Sequence, residues 1–156
     1  MSTRIVLKPG ELYYGDQFEE VYTLLGSCVA AVLWHPKYHL SGMCHVVYPE
    51  IGDEDNYSYA ESAIRKLYND VCSRLTNPND YRVEVFGGGN MFPNVFSGGD
   101  NTIGNKNTEI VTQLLSELGF KIKNRDVGGV QARKITLFRD SGKIVTVYVK
   151  ENPYDE

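Results

Sequence analysis

Three apolar runs follow one another within thirty residues: Glu20–Leu25, 28–34 and 40–48. Each is too short for a helix of ordinary length, and each is bounded by turn residues. Only Gly26-Ser27 separates the first from the second. The turn His35-Pro36-Lys37-Tyr38 separates the second from the third, and Pro49 ends it. Consecutive strands with no helix between them do not make the alternating strand–helix units of a purely parallel sheet. They predict an α+β fold with mixed or antiparallel sheets.

The rest of the chain agrees. Residues 4–7 and 11–14 read as short strands around the turns Pro9-Gly10 and Gly15-Asp16. Residues 58–75 form the clearest helix. Ser58 and Glu61 have the spacing of a capping box, and Ala60, Ala63, Ile64, Leu67, Val71 and Leu75 recur as one apolar stripe. Asn77-Pro78 stops it. Residues 81–86 alternate as a strand, and 87–104 read as a Gly- and Asn-rich loop. A second helix is expected over 105–118, with Ile110, Val111, Leu114, Leu115 and Leu118 buried and Gly119 as its left-handed cap. Residues 120–123 resume as strand. Residues 133–138 and 143–149 flank Asp140-Ser141-Gly142 as a hairpin. The total is seven to nine strands and two helices.

At 156 residues the chain has the length of one domain, residues 1–156, and buries enough surface to fold without a disulfide or metal staple. A formal charge of −4 argues against a nucleic-acid partner, which needs a basic stripe. No apolar run approaches the ~18 residues of a membrane span, so no membrane insertion is expected. The three cysteines have no framework spacing, and no export signal is legible at the N-terminus. Both features read as free thiols in a reducing cytoplasm.

Two of the runs carry chemistry. Gly26-Ser27 interrupts the chain just before Cys28, and His45 lies within the apolar stretch Met43-Cys44-His45-Val46-Val47. A thiol with an ordinary pKa of about 8.5 is mostly protonated at neutral pH, and an imidazole beside it serves as its base. The amides of Ser27 and Cys28, beside a glycine, suit an oxyanion. Gly-Ser-Cys equally describes a bend with a buried thiol, and His45 a sheet histidine bonded to backbone. Cys44 and His45 point to opposite faces of an extended strand, so at most one shares a site with Cys28. His35 and His39 read as exposed. A zinc site on Cys28, His35, His39, Cys44 and His45 has the ligand types but not the spacing. Gly87-Gly88-Gly89 lacks the Lys-Ser/Thr ending and the glycine spacing of a phosphate loop, and reads as a packed wall beside a site. Gly128-Gly129 with Arg133 reads as a turn.

Taken together, these stretches resemble the CheD family of chemoreceptor glutamine deamidases. Thr23-Leu24-Leu25-Gly26-Ser27-Cys28-Val29 is similar to its nucleophile segment. Cys44-His45-Val46-Val47-Tyr48-Pro49 is similar to its histidine strand, 17 residues on. Phe86-Gly87-Gly88-Gly89-Asn90-Met91-Phe92 resembles its glycine loop, and Asn101 to Asn107 the start of its second long helix. Asp126-Val127-Gly128-Gly129 with Arg133-Lys134 resembles its late glycine turn. The motifs run in family order over residues 11–149.

The resemblance implies a single layered α/β/β domain with mixed sheets and two main helices, similar to the cytotoxic necrotizing factor-like cysteine hydrolases. It implies glutamine-to-glutamate hydrolysis on the cytoplasmic helices of chemoreceptors through a thioester, with some methyl-ester hydrolysis. No cofactor and no metal are implied. Cys28 and His45 carry over as catalytic residues. Thr23 is the third by residue type, Tyr22 in another register. Gly26, Ser27, Gly88 and Gly89 would form the oxyanion or substrate wall. A CheC-type phosphatase is the implied second partner. The competing readings are a non-catalytic adaptor for receptor or phosphatase, and a generic cysteine peptidase.

Overall fold

In the computed structural model, residues 3–95 and 102–150 are described. Nine strands and two helices occur among them, in the order β1 (Arg4–Leu7), β2 (Leu12–Gly15), β3 (Glu20–Leu25), β4 (Val29–Trp34), β5 (Ser41–Cys44), α1 (Ala60–Ser73), β6 (Arg82–Gly87), α2 (Ile103–Glu117), β7 (Ile122–Val127), β8 (Arg133–Phe138) and β9 (Ile144–Tyr148). Four strands form one sheet in the order β1-β3-β8-β9, and five form another in the order β2-β5-β4-β6-β7. Both are mixed: β1–β3 and β6–β7 are parallel, the remaining pairs antiparallel.

Two apolar cores define three layers. One joins Val29, Ala31, Leu33, Cys44 and Val46 of the five-stranded sheet to Ile64, Leu67 and Val71 of α1 and Val111 and Leu115 of α2. The other lies between the sheets, where Ala30, Val32, Met43 and Phe86 meet Val21, Leu25, Ile135 and Leu137. The five-stranded sheet is therefore covered on both faces, which is why β4 reads as an unbroken apolar run. β3 is covered on one face only. Val21, Thr23 and Leu25 are fully buried, whereas Leu24 is half exposed. Each fully buried aliphatic side chain contributes roughly 1.5–3 kcal/mol of transfer free energy.

Several expectations need correction. Helix α1 starts at Ala60 with Tyr59 as N-cap and has no side-chain cap. Ser58 is engaged elsewhere: its carbonyl accepts from Val47 N (2.8 Å) and Tyr48 N (2.9 Å). Leu75 is not in the stripe. The helix closes with Thr76 N on Val71 O and Leu75 N on Cys72 O, a Schellman pattern that places Leu75 at φ 59° and exposes it. Helix α2 closes the same way with Gly119, at φ 90°, in the left-handed position. It begins two residues early because Thr102 Oγ1 accepts from Asn105 N at 3.2 Å. The strand expected over 40–48 ends at Cys44 and continues only as single bridges at Val46 and Tyr48. The strand expected over 120–123 is β7, displaced toward Val127. Of the loop expected over 87–104, and of the helix-start motif, residues 96–101 lie outside the described residues.

Candidate active site

The chain crosses from one sheet to the other at Gly26-Ser27. β3 belongs to the four-stranded sheet and β4 to the five-stranded sheet. An uninterrupted strand would turn Thr23 and Cys28 to opposite sides. Because the chain changes sheets between them, both face the space between the sheets. Thr23 does so with Val21 and Leu25, and Cys28 packs against the same intersheet core.

His45 comes to that space from β5. The β4–β5 register sets Val32 opposite Met43 and extends to a bridge between Val29 and Val46. Ala30 is therefore opposite His45, and Cys28 is its diagonal neighbour on the same face. Cys44 takes the other face. It is fully buried in the helix-side core, and burial pushes its thiol up to about 12. The backbone of His45 is held at both ends, with its N on Glu11 O at 3.2 Å and its O on Gly10 N at 2.9 Å.

The decisive contact crosses the two sheets. Thr23 Oγ1 lies 2.6 Å from His45 Nδ1 and 2.8 Å from the carbonyl of Leu7. A carbonyl only accepts, so the single threonine proton goes to Leu7 O. Nδ1–H then donates to Thr23 Oγ1, which leaves the lone pair on Nε2. Burial pushes His45 down to about 4, against a smaller upward pull from Glu11, so the ring is neutral at physiological pH. Tyr22 is turned the other way, with the Arg4 guanidinium over its ring.

Burial also raises the Cys28 thiol above its ordinary value. This opposes the depressed value that a preformed thiolate would have. Burial therefore favours the neutral form of both the thiol and the imidazole.

Among the described residues, no backbone carbonyl accepts from the amides of Ser27 or Cys28. The amides of Gly88 and Gly89 are not free. They donate to Cys28 O (2.9 Å) and Gly26 O (3.0 Å), so both amides are spent on holding the Gly26–Cys28 turn. Gly88 sits at φ 67° and Gly87 at φ 107°, where a side chain is strained. Beside the turn is a cavity of about 350 Å³, lined by Ser27, Gly89, Met91, Phe92 and Ile103 among others. A larger groove of about 550 Å³ is lined by Pro49, Lys106 and Ile110, and neither Cys28 nor His45 lines either space; the smaller one adjoins the nucleophile candidate through Ser27.

His35 is buried, contrary to expectation. Its Nδ1 accepts from Lys37 N and Tyr38 N, so it folds its own turn. His39 stacks on Trp34. The five residues of the zinc reading are thus dispersed over both faces of the sheet and its far end. Arg133 is buried. It binds Asp126 Oδ1 at 3.0 Å and clasps the carbonyl of Gly128.

One polar contact at the turn was not assigned a role from sequence. Asn107 of α2 is fully buried, and its Nδ2 donates to Ser27 O (3.3 Å) and Val47 O (3.0 Å). The available signal was its place on the helix: Asn107, Val111, Leu114 and Leu115 share one face, and a polar residue on that face needs a partner.

Residues 48–148 match the family model described as CheD chemotactic sensory transduction. A protein of Pseudomonas syringae pv. tomato named "Probable chemoreceptor glutamine deamidase CheD" is 32% identical, over 99% of this chain and 92% of its own. A Stenotrophomonas maltophilia protein of that name is 35% identical over 89% of this chain and 70% of its own. A Geobacter sulfurreducens protein named "Probable chemoreceptor glutamine deamidase CheD 2" is 29% identical over 90% and 87%. Among solved structures, Bacillus licheniformis YfiH aligns with 69% of this chain and 46% of that one, at 14% identity and a TM-score of 0.44. By its match to the family model over most of its length, and by its relatives, the chain belongs to the CheD family.

Proposed function

We propose that this chain hydrolyses glutamine side chains of chemoreceptor cytoplasmic helices to glutamate, with Cys28 as nucleophile, His45 as base and acid, and Thr23 as the residue that orients His45. The observation that carries the reading is the buried Thr23–His45 hydrogen bond, which leaves Nε2 unprotonated on the face shared with Cys28. The names of the relatives supply the substrate class.

In the proposed reaction the Cys28 proton passes to His45 Nε2 as Sγ attacks the carboxamide carbon. The amides of Ser27 and Cys28 receive the oxyanion. Nε2–H then protonates the departing nitrogen, and ammonia leaves a thioester. Water, deprotonated by the same nitrogen, attacks the thioester carbon. Sγ leaves as the thiol, and the product is glutamate. A methyl ester passes through the same thioester with methanol as the leaving group. The apolar walls of the 350 Å³ cavity suit the aliphatic stem of glutamine and its helix neighbours.

The raised thiol pKa favours a second reading, an adaptor that binds receptors or a CheC-type phosphatase without turnover. One experiment separates the two: ammonia release from a purified receptor cytoplasmic fragment, with glutamate formation followed by mass spectrometry. Wild-type protein releases ammonia, and Cys28→Ala loses more than about 10³-fold in rate. Binding without ammonia release from the wild type supports the adaptor. Wild-type turnover by Cys28→Ala overturns the mechanism.

A further inference from the structure

Strand pairing stops at the nucleophile. Val29 and Val46 exchange both backbone hydrogen bonds, N to O at 3.0 and 2.8 Å. In an antiparallel ladder the next such pair is Ser27 with Tyr48. Tyr48 has left the ladder, however. Its N donates to Ser58 O (2.9 Å) and its O accepts from Ala60 N (3.0 Å). Ser27 thus loses both ladder partners. Asn107 Nδ2 replaces one of them, on Ser27 O, and ties it to Val47 O on the departing strand. Two carbonyls at one end of the side chain require the amino group there, which settles its orientation. Its Oδ1 has no partner among the described residues, so the side chain keeps a polar atom at a cost that packing alone does not explain.

Ser27 C=O and Cys28 N–H belong to one planar trans peptide and point in opposite directions. We infer that Asn107 is a positioning residue: by gripping Ser27 O it fixes the peptide plane that carries the Cys28 N–H and aims that donor at the oxyanion. The peptide after Cys28 is gripped independently, by Gly88 N on Cys28 O. Both planes around the nucleophile are thereby held, one from α2 and one from the glycine turn. This inference rests on the proposed deamidation.

The test compares Asn107→Ala with wild type on three readouts. The kcat of ammonia release falls about 10²-fold, the order of one oxyanion donor. KM for the receptor fragment stays within about threefold, because Asn107 does not contact substrate. Alkylation of Cys28 by iodoacetamide keeps its rate, because that displacement forms no oxyanion. A folded Asn107→Ala with kcat within about threefold of wild type overturns the inference, as does an equal loss of kcat and alkylation. If Asn107→Ala does not fold, nearly isosteric Asn107→Asp serves. Its activity relative to wild type rises on acidification, as the carboxyl gains the one proton it can donate to Ser27 O, and a flat ratio overturns the inference. In wild-type protein, NMR detects a coupling across the hydrogen bond from the Asn107 side-chain nitrogen to the Ser27 carbonyl carbon, and its absence is equally fatal. Cys28→Ala at wild-type turnover sinks deamidation by Cys28 itself. An inactive Cys28→Ala beside a fully active Asn107→Ala sinks only the clamp.

Discussion

His45 is neutral because it is buried. Removing the ring from water disfavours its cation, and Thr23 fills the Nδ1 position without supplying a charge. The same burial has a stability consequence. The folded-state pKa of about 4 lies below the unfolded value, so the unfolded chain binds the extra proton between about pH 6.5 and 4. The contribution is fully present above about pH 6.5 and is lost as pH falls toward 4. It is worth about 3 kcal/mol from the shift. Urea unfolding of wild type against His45→Gln over pH 4–7 should show a steeper acid decline in wild type. Parallel curves would mean the ring is not desolvated. The sequence pointed to this histidine through its setting, a polar ring in an apolar run. It left Thr23 and Tyr22 undivided, because the answer depends on which face of β3 meets β5.

At the scale of elements, the glycine turn after β6 is built by close approach. A Cβ on Gly88 would run into Thr108 Oγ1 and lie 2.9 Å from Gly104 O, and one on Gly104 would meet Gly88 O. The turn and the start of α2 are therefore packed backbone to backbone, at the positions where both are glycine. Gly128, at φ 82°, has nothing within 4 Å. Gly128→Ala should cost only the left-handed strain, about 1–2 kcal/mol. Gly88→Ala should cost more by at least ~1 kcal/mol of overpacking, and it should lower deamidation because Gly88 N holds Cys28 O. Chemical unfolding of the two variants measures the difference. Equal losses would show that the turn yields freely. Helix periods and glycine punctuation made these elements legible, but Leu75 and Ser58 were misread for a physical reason. A Schellman closure can be made by leucine, and Ser58 serves the strand end through its carbonyl, which every residue has.

Across the whole molecule, Arg133 is a polar tie between the sheets. It stands on β8 of the four-stranded sheet and binds Asp126 of β7 in the five-stranded sheet, together with carbonyls of Asp126 and Gln131. Gly129 O in the same turn accepts from Asn90 N, which carries the tie to the glycine turn beside Cys28. Arg133→Met removes a buried, charged donor from several partly exposed acceptors at once and should cost about 3 kcal/mol. For a chain of this size that is a fall of roughly 6–12 °C in Tm. Calorimetry checks it, and an unchanged Tm would mean that Arg133 does not help to hold the layers together.

What the sequence determined by itself is local: where strands and helices form, which stretches turn, and that a thiol and an imidazole lie in neighbouring strand-like runs. Periodicity and turn chemistry act over a few residues, so one chain suffices to read them. Tertiary structure alone decided the rest. The change of sheet at Gly26-Ser27 turned Thr23 and Cys28 to the same space. The departure of Tyr48 emptied the ladder beside Ser27, and α2 brought Asn107 to the gap. Each depends on which face of one element lies against another distant in the chain, and that is set by burial of the whole core.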